Sequence, residues 1–344
     1  MSGPTLRVGV LSGAHGHAGG YLRHLRARSD VAVSFSDPHD PGDTADRGRS
    51  LADVTGARWV EDRSSLLRNV DAVVVCSENS RHHDDVMAAL AQGCHVLVEK
   101  PMATTVDHAV QMRRAADAAG LVLGVAHPVR QSPAYRHVRA RVESGTLGAV
   151  LAVLGTNNGM LPREREWFVQ AEWSGGGALA DHLVHCTDLI DGLLDRPPRR
   201  VRAATNRVLE QTPPTTVETG GIVTIEYDGG VIATIDCSWS QPRSAPTWGG
   251  LTLDVIGTAG RVRIDAFNLH LSGHGSRGPQ WWSFGSDMDA AMIGNFVDAA
   301  RGRVPVDAGA TAGVRSVEIM TAALESARSG GRCVDVRSTT SAAL

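Results

Sequence analysis

The sequence predicts an α/β domain with a doubly wound parallel sheet, followed by an α+β domain built on a large open, mostly antiparallel sheet. Three observations predict this. The chain has 344 residues, more than a single hydrophobic core usually organises. Its first third alternates short β-branched runs with helical patterns, the grammar of βαβ units. After about residue 130 that alternation stops and longer β stretches follow one another. The boundary is placed at residue 125, giving a nucleotide-type domain over 1–125 and a substrate-binding and oligomerisation domain over 126–344.

In the first domain the strand candidates are "LRVGVLS" (6–12), "VAVSFSD" (31–37), "DAVVVCS" (71–77), "HVLVEK" (95–100) and "LVLGVAH" (121–127). Each is nearly continuous in apolar residues, as a strand covered on both faces should be. Helical stretches separate them: "AGGYLRHLRAR", "RHHDDVMAALAQG" and "TVDHAVQMRRAADAAG", the last two closing on glycine.

The turn after the first strand reads Ser12-Gly13-Ala14-His15-Gly16-His17 before a helix that opens Ala18-Gly19-Gly20. A dinucleotide-binding turn needs small residues so that a helix N-terminus can approach the pyrophosphate. In the usual register its three glycine positions fall on Ser12, Ala14 and His17, so the strict motif is not met, although Gly13 and Gly16 relieve the backbone nearby. Asp37 ends the second strand, where a carboxylate would accept the adenine ribose hydroxyls and repel a 2′-phosphate. With no Arg or Lys in "DPHDPGD", the reading favours NAD over NADP.

Lys100 stands at the carboxyl end of a parallel strand, the edge where such sheets bind ligands, and Pro101 ends the strand there. A lysine partly desolvated at that edge suits a proton donor or carbonyl polariser. A surface lysine paired with Glu99 is the plainer reading of the same letters.

In the second domain, "PAYRHVRARVESGTLG" and "GGGALADHLVHCTDLIDGLLD" read as helices. The β stretches "RRVRAATNRVL", "TGGIVTIEYDGG", "VIATIDCSWSQ", "LTLDVIGTAG" and "RVRIDAFNLHLSG" are joined by turn signals that predict an antiparallel meander. Gly175-Gly176-Gly177 gives a flexible approach to a helix on which Asp181, His185 and Asp188 share one face. A carboxylate one turn from a histidine can orient the ring and raise its basicity, as a general base requires.

Taken in order, "CSENSRHHDDVMAALAQGCHV", "VLVEKP", "VRQSPAYRHVRARVESGTLGAV", "GGGALADHLVHCTDLI" and "FVDAARGRVPVDAGATAGVRSVEIMTAALESA" run nearly the whole length of the chain. In these motifs the sequence resembles the glucose–fructose oxidoreductase/inositol dehydrogenase family (Gfo/Idh/MocA). The resemblance implies an N-terminal Rossmann domain and a C-terminal domain whose open sheet carries substrate and packs subunits into a homodimer or homotetramer. It implies a nicotinamide cofactor and reversible hydride transfer between the nicotinamide and a carbinol carbon of a sugar, cyclitol or related polyol. Lys100 matches the lysine of the Glu-Lys-Pro signature, and Asp181 and His185 match an Asp-x-x-x-His pair. The cofactor would be held by Ser12, Gly13, Ala14, His15, Gly16, His17 and Asp37, by Ser77, Asn79 and His82 beside the nicotinamide, and by Glu99, Lys100 and Pro101.

Substrate contacts are expected from His127, Arg130 and His182, and from Asn157, Asn158 and Trp167 in a stretch (156–173) read as a loop reaching into the cleft. His15, His17, Glu78 and His182 depart from the family's usual residues. His182 and His185, at i and i+3, have a spacing that can chelate a metal, but no metal is assigned. Three rivals remain. One is NAD chemistry without net redox, by transient oxidation followed by elimination or glycoside cleavage. Another is a metal-dependent hydrolase or lyase on the same scaffold. The third is a non-catalytic sensor, against which the Lys/Asp/His set argues.

A net charge of −3 with scattered basic residues gives no electrostatic footprint for nucleic acid or an anionic membrane. No apolar run approaches a bilayer span. Five widely spaced cysteines, with no Cys-x-x-Cys pair and no secretory leader before the first strand, predict a cytoplasmic protein with reduced thiols.

Overall fold

The computed structural model describes residues 4–38, 47–209, 215–276 and 278–339. The chain forms two compact units. The first runs to Pro128 and also takes in Glu172–Gly175 and Asp289–Val317; the second comprises Val129–Ala171, Gly176–Met288 and the chain from Glu318. The change of pattern along the sequence predicts one boundary, at residue 125. The first unit is instead assembled from three stretches, because the helix Met288–Ala300 supplies part of its core.

That core lies around a six-stranded parallel sheet: β1 (Leu6–Leu11), β2 (Val31–Ser36), β3 (Arg58–Trp59), β4 (Ala72–Val75), β5 (His95–Val98) and β6 (Leu123–Val125). The strand order is β3-β2-β1-β4-β5-β6, with the direction of winding reversing at β1. Val8, Val10, Phe35, Val74 and Leu97 are fully or almost fully buried against Tyr21, Leu22 and Leu25 of the helix Ala18–Arg26 and against Met292, Ile293, Phe296 and Val297. Burying each such side chain is worth roughly 1.5–3 kcal/mol. The doubly covered strands explain the unbroken apolar runs of the sequence. Ligands bind such sheets at the carboxyl ends beside the reversal, so the loops after β1, β4 and β5 are where chemistry is expected.

The second unit is built on a seven-stranded sheet: β7 (Val150–Gly159), β8 (Pro198–Asn206), β9 (Gly220–Tyr227), β10 (Ile232–Asp236), β11 (Gly249–Gly257), β12 (Gly260–Asp265) and β15 (Val334–Asp335), in the order β12-β11-β7-β10-β9-β8-β15. All its pairings are antiparallel except β10 with β7. The predicted meander is therefore interrupted, since β7 inserts between β10 and β11. The stretch "RVRIDAFNLHLSG" also divides, giving β12 and then β13 (His270–Gly275), which pairs with β14 (Gly278–Ser283) as a separate ribbon. One face of the large sheet packs on the helical segment Leu179–Leu194: a Cβ on Gly155 of β7 would lie 3.5 Å from Cys186 Sγ.

Candidate active site

In the first unit the turn after β1 adopts the backbone that its small residues foreshadow. Ser12 sits at φ +71°, in the left-handed region that favours glycine and costs another residue roughly 1–2 kcal/mol. Its hydroxyl offsets that strain, donating to Asp37 Oδ1 at 3.0 Å and accepting from the Ala14 amide at 3.2 Å. Gly13, Ala14 and His15 are buried, Gly16 is exposed and His17 half-buried. His17 is the N-cap of the helix Ala18–Arg26 and makes no side-chain cap bond; the Ala18 amide donates to the His15 carbonyl at 3.0 Å, so the amides of Gly19 and Gly20 are the ones its side chain leaves to an incoming anion.

Asp37 is buried and strongly held. Arg47 grips both carboxylate oxygens, Nε to Oδ2 at 3.1 Å and Nη2 to Oδ1 at 3.0 Å, and the Gly48 amide adds a long contact of 3.4 Å. This arginine lies beyond the Asp37–Asp43 stretch on which the preference for NAD rests and returns to Asp37 from ten residues downstream. Its signal was present, because Arg47 directly precedes the helix Gly48–Thr55.

After β4, the Ser77 hydroxyl and Asn79 Oδ1 are buried with no hydrogen-bond partner among the described residues. Two orphaned acceptors in one loop fit a ligand that carries donors, such as a carboxamide and ribose hydroxyls. The Asn79 amide nitrogen donates to the Ser174 carbonyl at 2.9 Å, securing the short Glu172–Gly175 stretch. Gly175 fits tightly there at φ +77°, since a Cβ would lie 2.6 Å from Thr104 Cγ2. His82 acts as a bolt, its ring nitrogens 2.9 Å from the Pro101 carbonyl and 3.1 Å from that of Ser77. Burial pushes the His82 pKa down, against the pull of these carbonyls.

After β5, Glu99 and Lys100 are buried, and a cis peptide joins Lys100 to Pro101. The Glu99 carboxylate accepts from Tyr21 Oη at 2.7 Å and from the Lys100 amide at 3.0 Å. His17 Nδ1 is 2.9 Å from Glu99 Oε1, and His15 Nδ1 is 3.5 Å from the same oxygen. Burial alone would raise the Glu99 pKa, but His15, His17 and Lys100 outweigh it and hold the group well below the usual carboxylate range. His127 is buried just beyond β6.

In the second unit, Gly177 is a close approach rather than a flexible hinge, because a Cβ there would lie 2.0 Å from the Glu218 carbonyl. Glu218 Oε1 caps the following turn, accepting from the amides of Gly177 at 2.8 Å and Leu179 at 3.1 Å. Leu179–Leu183 forms a π-helical turn, a geometry frequent at functional sites, before the α-helix Val184–Leu194. Asp181 lies in the π turn and its Oδ2 accepts Trp239 Nε1–H at 3.0 Å, with His182 Nε2 at 3.2 Å. His185 is half-buried in the first turn of the α-helix. Trp239 is not among the site residues expected from the sequence; it lies three residues beyond the end of β10, in the "DCSWS" run (236–240).

Trp239 and Trp248 line a cavity of about 360 Å³ together with Met160, Arg163, Arg165 and Arg243. The Trp248 ring meets His182 edge-on at 5.7 Å. Asn157 and Asn158, read as loop residues, belong to β7, where alternation sends them to opposite faces. Asn157 donates to the Gly250 carbonyl at 2.9 Å, leaving its buried Oδ1 without a partner among the described residues, whereas Asn158 Oδ1 accepts from Gln241 at 3.2 Å on the outer face. Arg130 is committed to a buried ion pair, Nε to Asp188 Oδ2 at 2.7 Å. Trp167 packs on the small core formed by Phe168, Val169, Ala178, Val217 and Trp239.

Residues 20–127 match the profile of an oxidoreductase family with an NAD-binding Rossmann fold, and residues 135–263 match the GFO/IDH/MocA C-terminal domain. The chain belongs to the GFO/IDH/MocA family. The first match begins at residue 20, so the Ser12–His17 turn precedes it. Among curated GFO/IDH/MocA relatives, the 1,5-anhydro-D-fructose reductase of Ensifer adhaerens is 32% identical over 55% of this chain and 58% of its own length. The inositol 2-dehydrogenase of Acidothermus cellulolyticus is 34% identical over 59% of this chain and 58% of its own. The chain thus spans under two thirds of the length of these relatives. A solved structure, that of GenD2 from gentamicin A biosynthesis in complex with NAD, superposes with a TM-score of 0.87 at 26% identity, covering 98% of both chains. No helix among the described residues is long and apolar enough to cross a membrane.

Proposed function

We propose that this GFO/IDH/MocA protein is an NAD-dependent oxidoreductase that transfers a hydride between the nicotinamide and a carbinol carbon of a sugar, cyclitol or related polyol. The observation that carries the reading is the first unit's switch-point crevice. There the left-handed Ser12 turn is tied to Asp37, two orphaned acceptors lie at Ser77 and Asn79, and Lys100 is buried at the end of β5. Those groups fit a dinucleotide: an uncapped helix N-terminus for pyrophosphate, a carboxylate for ribose and acceptors for the carboxamide.

When bound, NAD supplies the hydride acceptor. The chain's own residues are assigned the proton chemistry: in the second unit His185 is the base for the substrate hydroxyl, with Asp181, fixed by Trp239, on the same helical segment, and in the first unit Lys100 is the carbonyl polariser. Asn157 Oδ1, His127 and the Trp-lined cavity of the second unit are assigned to substrate hydroxyls and ring faces.

NAD is preferred through Asp37, although Arg47 gives the same position a cation suited to a 2′-phosphate. A homo-oligomer is expected through the outer face of the seven-stranded sheet, where Leu154, Ile222 and Ile232 are 47–48% exposed on neighbouring strands. Four of the five cysteines are buried and all are free, which supports a reducing, cytoplasmic setting.

The test is turnover of a sugar and cyclitol panel, followed through nicotinamide absorbance, with Lys100→Met alongside. Lys100→Met should abolish turnover while NAD binding stays within a few-fold of the parent. Unchanged turnover would sink the assignment.

A further inference from the structure

The turn after β1 carries chemistry that dinucleotide binding does not call for. We propose that His15 Nδ1, His17 Nδ1 and Glu99 Oε1 form a binding site for one divalent transition-metal ion of the zinc class, its remaining coordination positions taken by water or an anion. Each of the three residues offers one donor atom such that all three lie within 4.8 Å of one another. Glu99 Oε1 is 2.9 Å from His17 Nδ1 and 3.5 Å from His15 Nδ1. Tetrahedral bonds of roughly 2.1 Å place neighbouring donors about 3.4 Å apart, so of the two edges to Glu99 the one from His15 already fits and the one from His17 must open by about half an ångström, while the His15–His17 edge lies within the 4.8 Å limit.

The donor chemistry is selective. Two imidazoles and one carboxylate suit Zn²⁺, Co²⁺, Ni²⁺ or Cu²⁺, whereas Mg²⁺ and Ca²⁺ prefer all-oxygen sets. The support around the donors is already built. The Tyr21 hydroxyl at 2.7 Å and the Lys100 amide at 3.0 Å fix the two carboxylate oxygens, as outer partners fix metal ligands. The His15 amide is anchored to the Cys76 carbonyl at 2.9 Å. The His15 and Glu99 side chains are 1% and 0% exposed, but His17 is 41% exposed and provides the way in. The His17 amide approaches His15 Nδ1 at 3.5 Å, a long contact that a metal would replace. The histidines precede the segment matched to the family, and the site stands on its own geometry rather than on the hydride-transfer reading.

The test is titration of untagged, chelator-stripped protein with Co²⁺, followed by its visible d–d absorption and by metal analysis after dialysis. One Co²⁺ per chain is expected, displaced by Zn²⁺. His15→Asn, His17→Asn and Glu99→Gln should each weaken binding by more than about tenfold. His17→Cys, which restores a ligand on a half-exposed side chain, should recover it. The double variant His182→Asn/His185→Asn should bind Co²⁺ like the parent. Absence of stoichiometric Co²⁺ binding, or its loss in the His182/His185 variant with retention in His17→Asn, overturns the proposal. NAD titration of the same samples separates the two readings. Co²⁺ bound through the turn without dinucleotide binding defeats the oxidoreductase assignment alone, and dinucleotide binding without Co²⁺ defeats the metal site alone.

Discussion

Tyr21 donates its hydroxyl to Glu99 Oε1 at 2.7 Å across 78 residues of sequence, joining the helix after β1 to the end of β5. A buried bond to a charged acceptor contributes about 1.5–3 kcal/mol. Tyr21→Phe keeps the ring in the core and removes only that bond. It should lower stability by about this amount in urea unfolding and loosen NAD binding, because the turn above Glu99 loses a support. A variant matching the parent in both would show that Glu99 does not depend on Tyr21.

Asp37 and Arg47 should set cofactor choice together. Asp37→Ala is expected to weaken NAD binding at least tenfold while leaving NADP unchanged or tighter. Arg47→Ala should weaken NADP more than NAD. Calorimetric titration of each variant with both dinucleotides checks this, and equal losses for the two cofactors would remove the pair from discrimination.

Trp239→Phe tests the second unit. It preserves most of the packing but strips Asp181 of the indole N–H held at 3.0 Å. Loss of a bond to a charged group corresponds to roughly a tenfold fall in kcat or more, with KM changing less. A change confined to KM would assign Trp239 to substrate stacking alone.

His82 predicts a pH dependence. Burial depresses its pKa in the folded state, so the neutral ring is the form that folding favours. The stability it contributes is present above its unfolded pKa of about 6.5 and is lost as pH falls towards the lower folded value. The parent's Tm should drop between about pH 7.5 and 5.5 more steeply than that of His82→Gln, which does not titrate there. Parallel Tm profiles would contradict this.

The parallel sheet was legible because its strands are covered on both faces and spell continuous apolar runs. β7 was not, because it alternates. Val153 and Gly155 face the helix while Leu154 and Asn158 face outward, and its polar end resembles a loop. Ser12 could be placed at a glycine position from spacing alone, whereas its bond to Asp37 needed the fold. Arg47 and Trp239 escaped notice because their partners, Asp37 and Asp181, are joined to them by chain return rather than by any local pattern. The triple glycine suggested flexibility, but at Gly177 the residue is required by contact with Glu218.

The return of Asp289–Val317 to the first unit bears on how the chain is made. Synthesis proceeds from the N-terminus, and early domains generally fold as they emerge. Here Phe296 and Val297, both fully buried against the first sheet, are translated after most of the second unit. Until the ribosome passes residue 300, the nascent nucleotide-type sheet has an open apolar flank. A fragment cut at residue 128 would carry that flank permanently, so the two units, though compact, are not separable pieces of the gene.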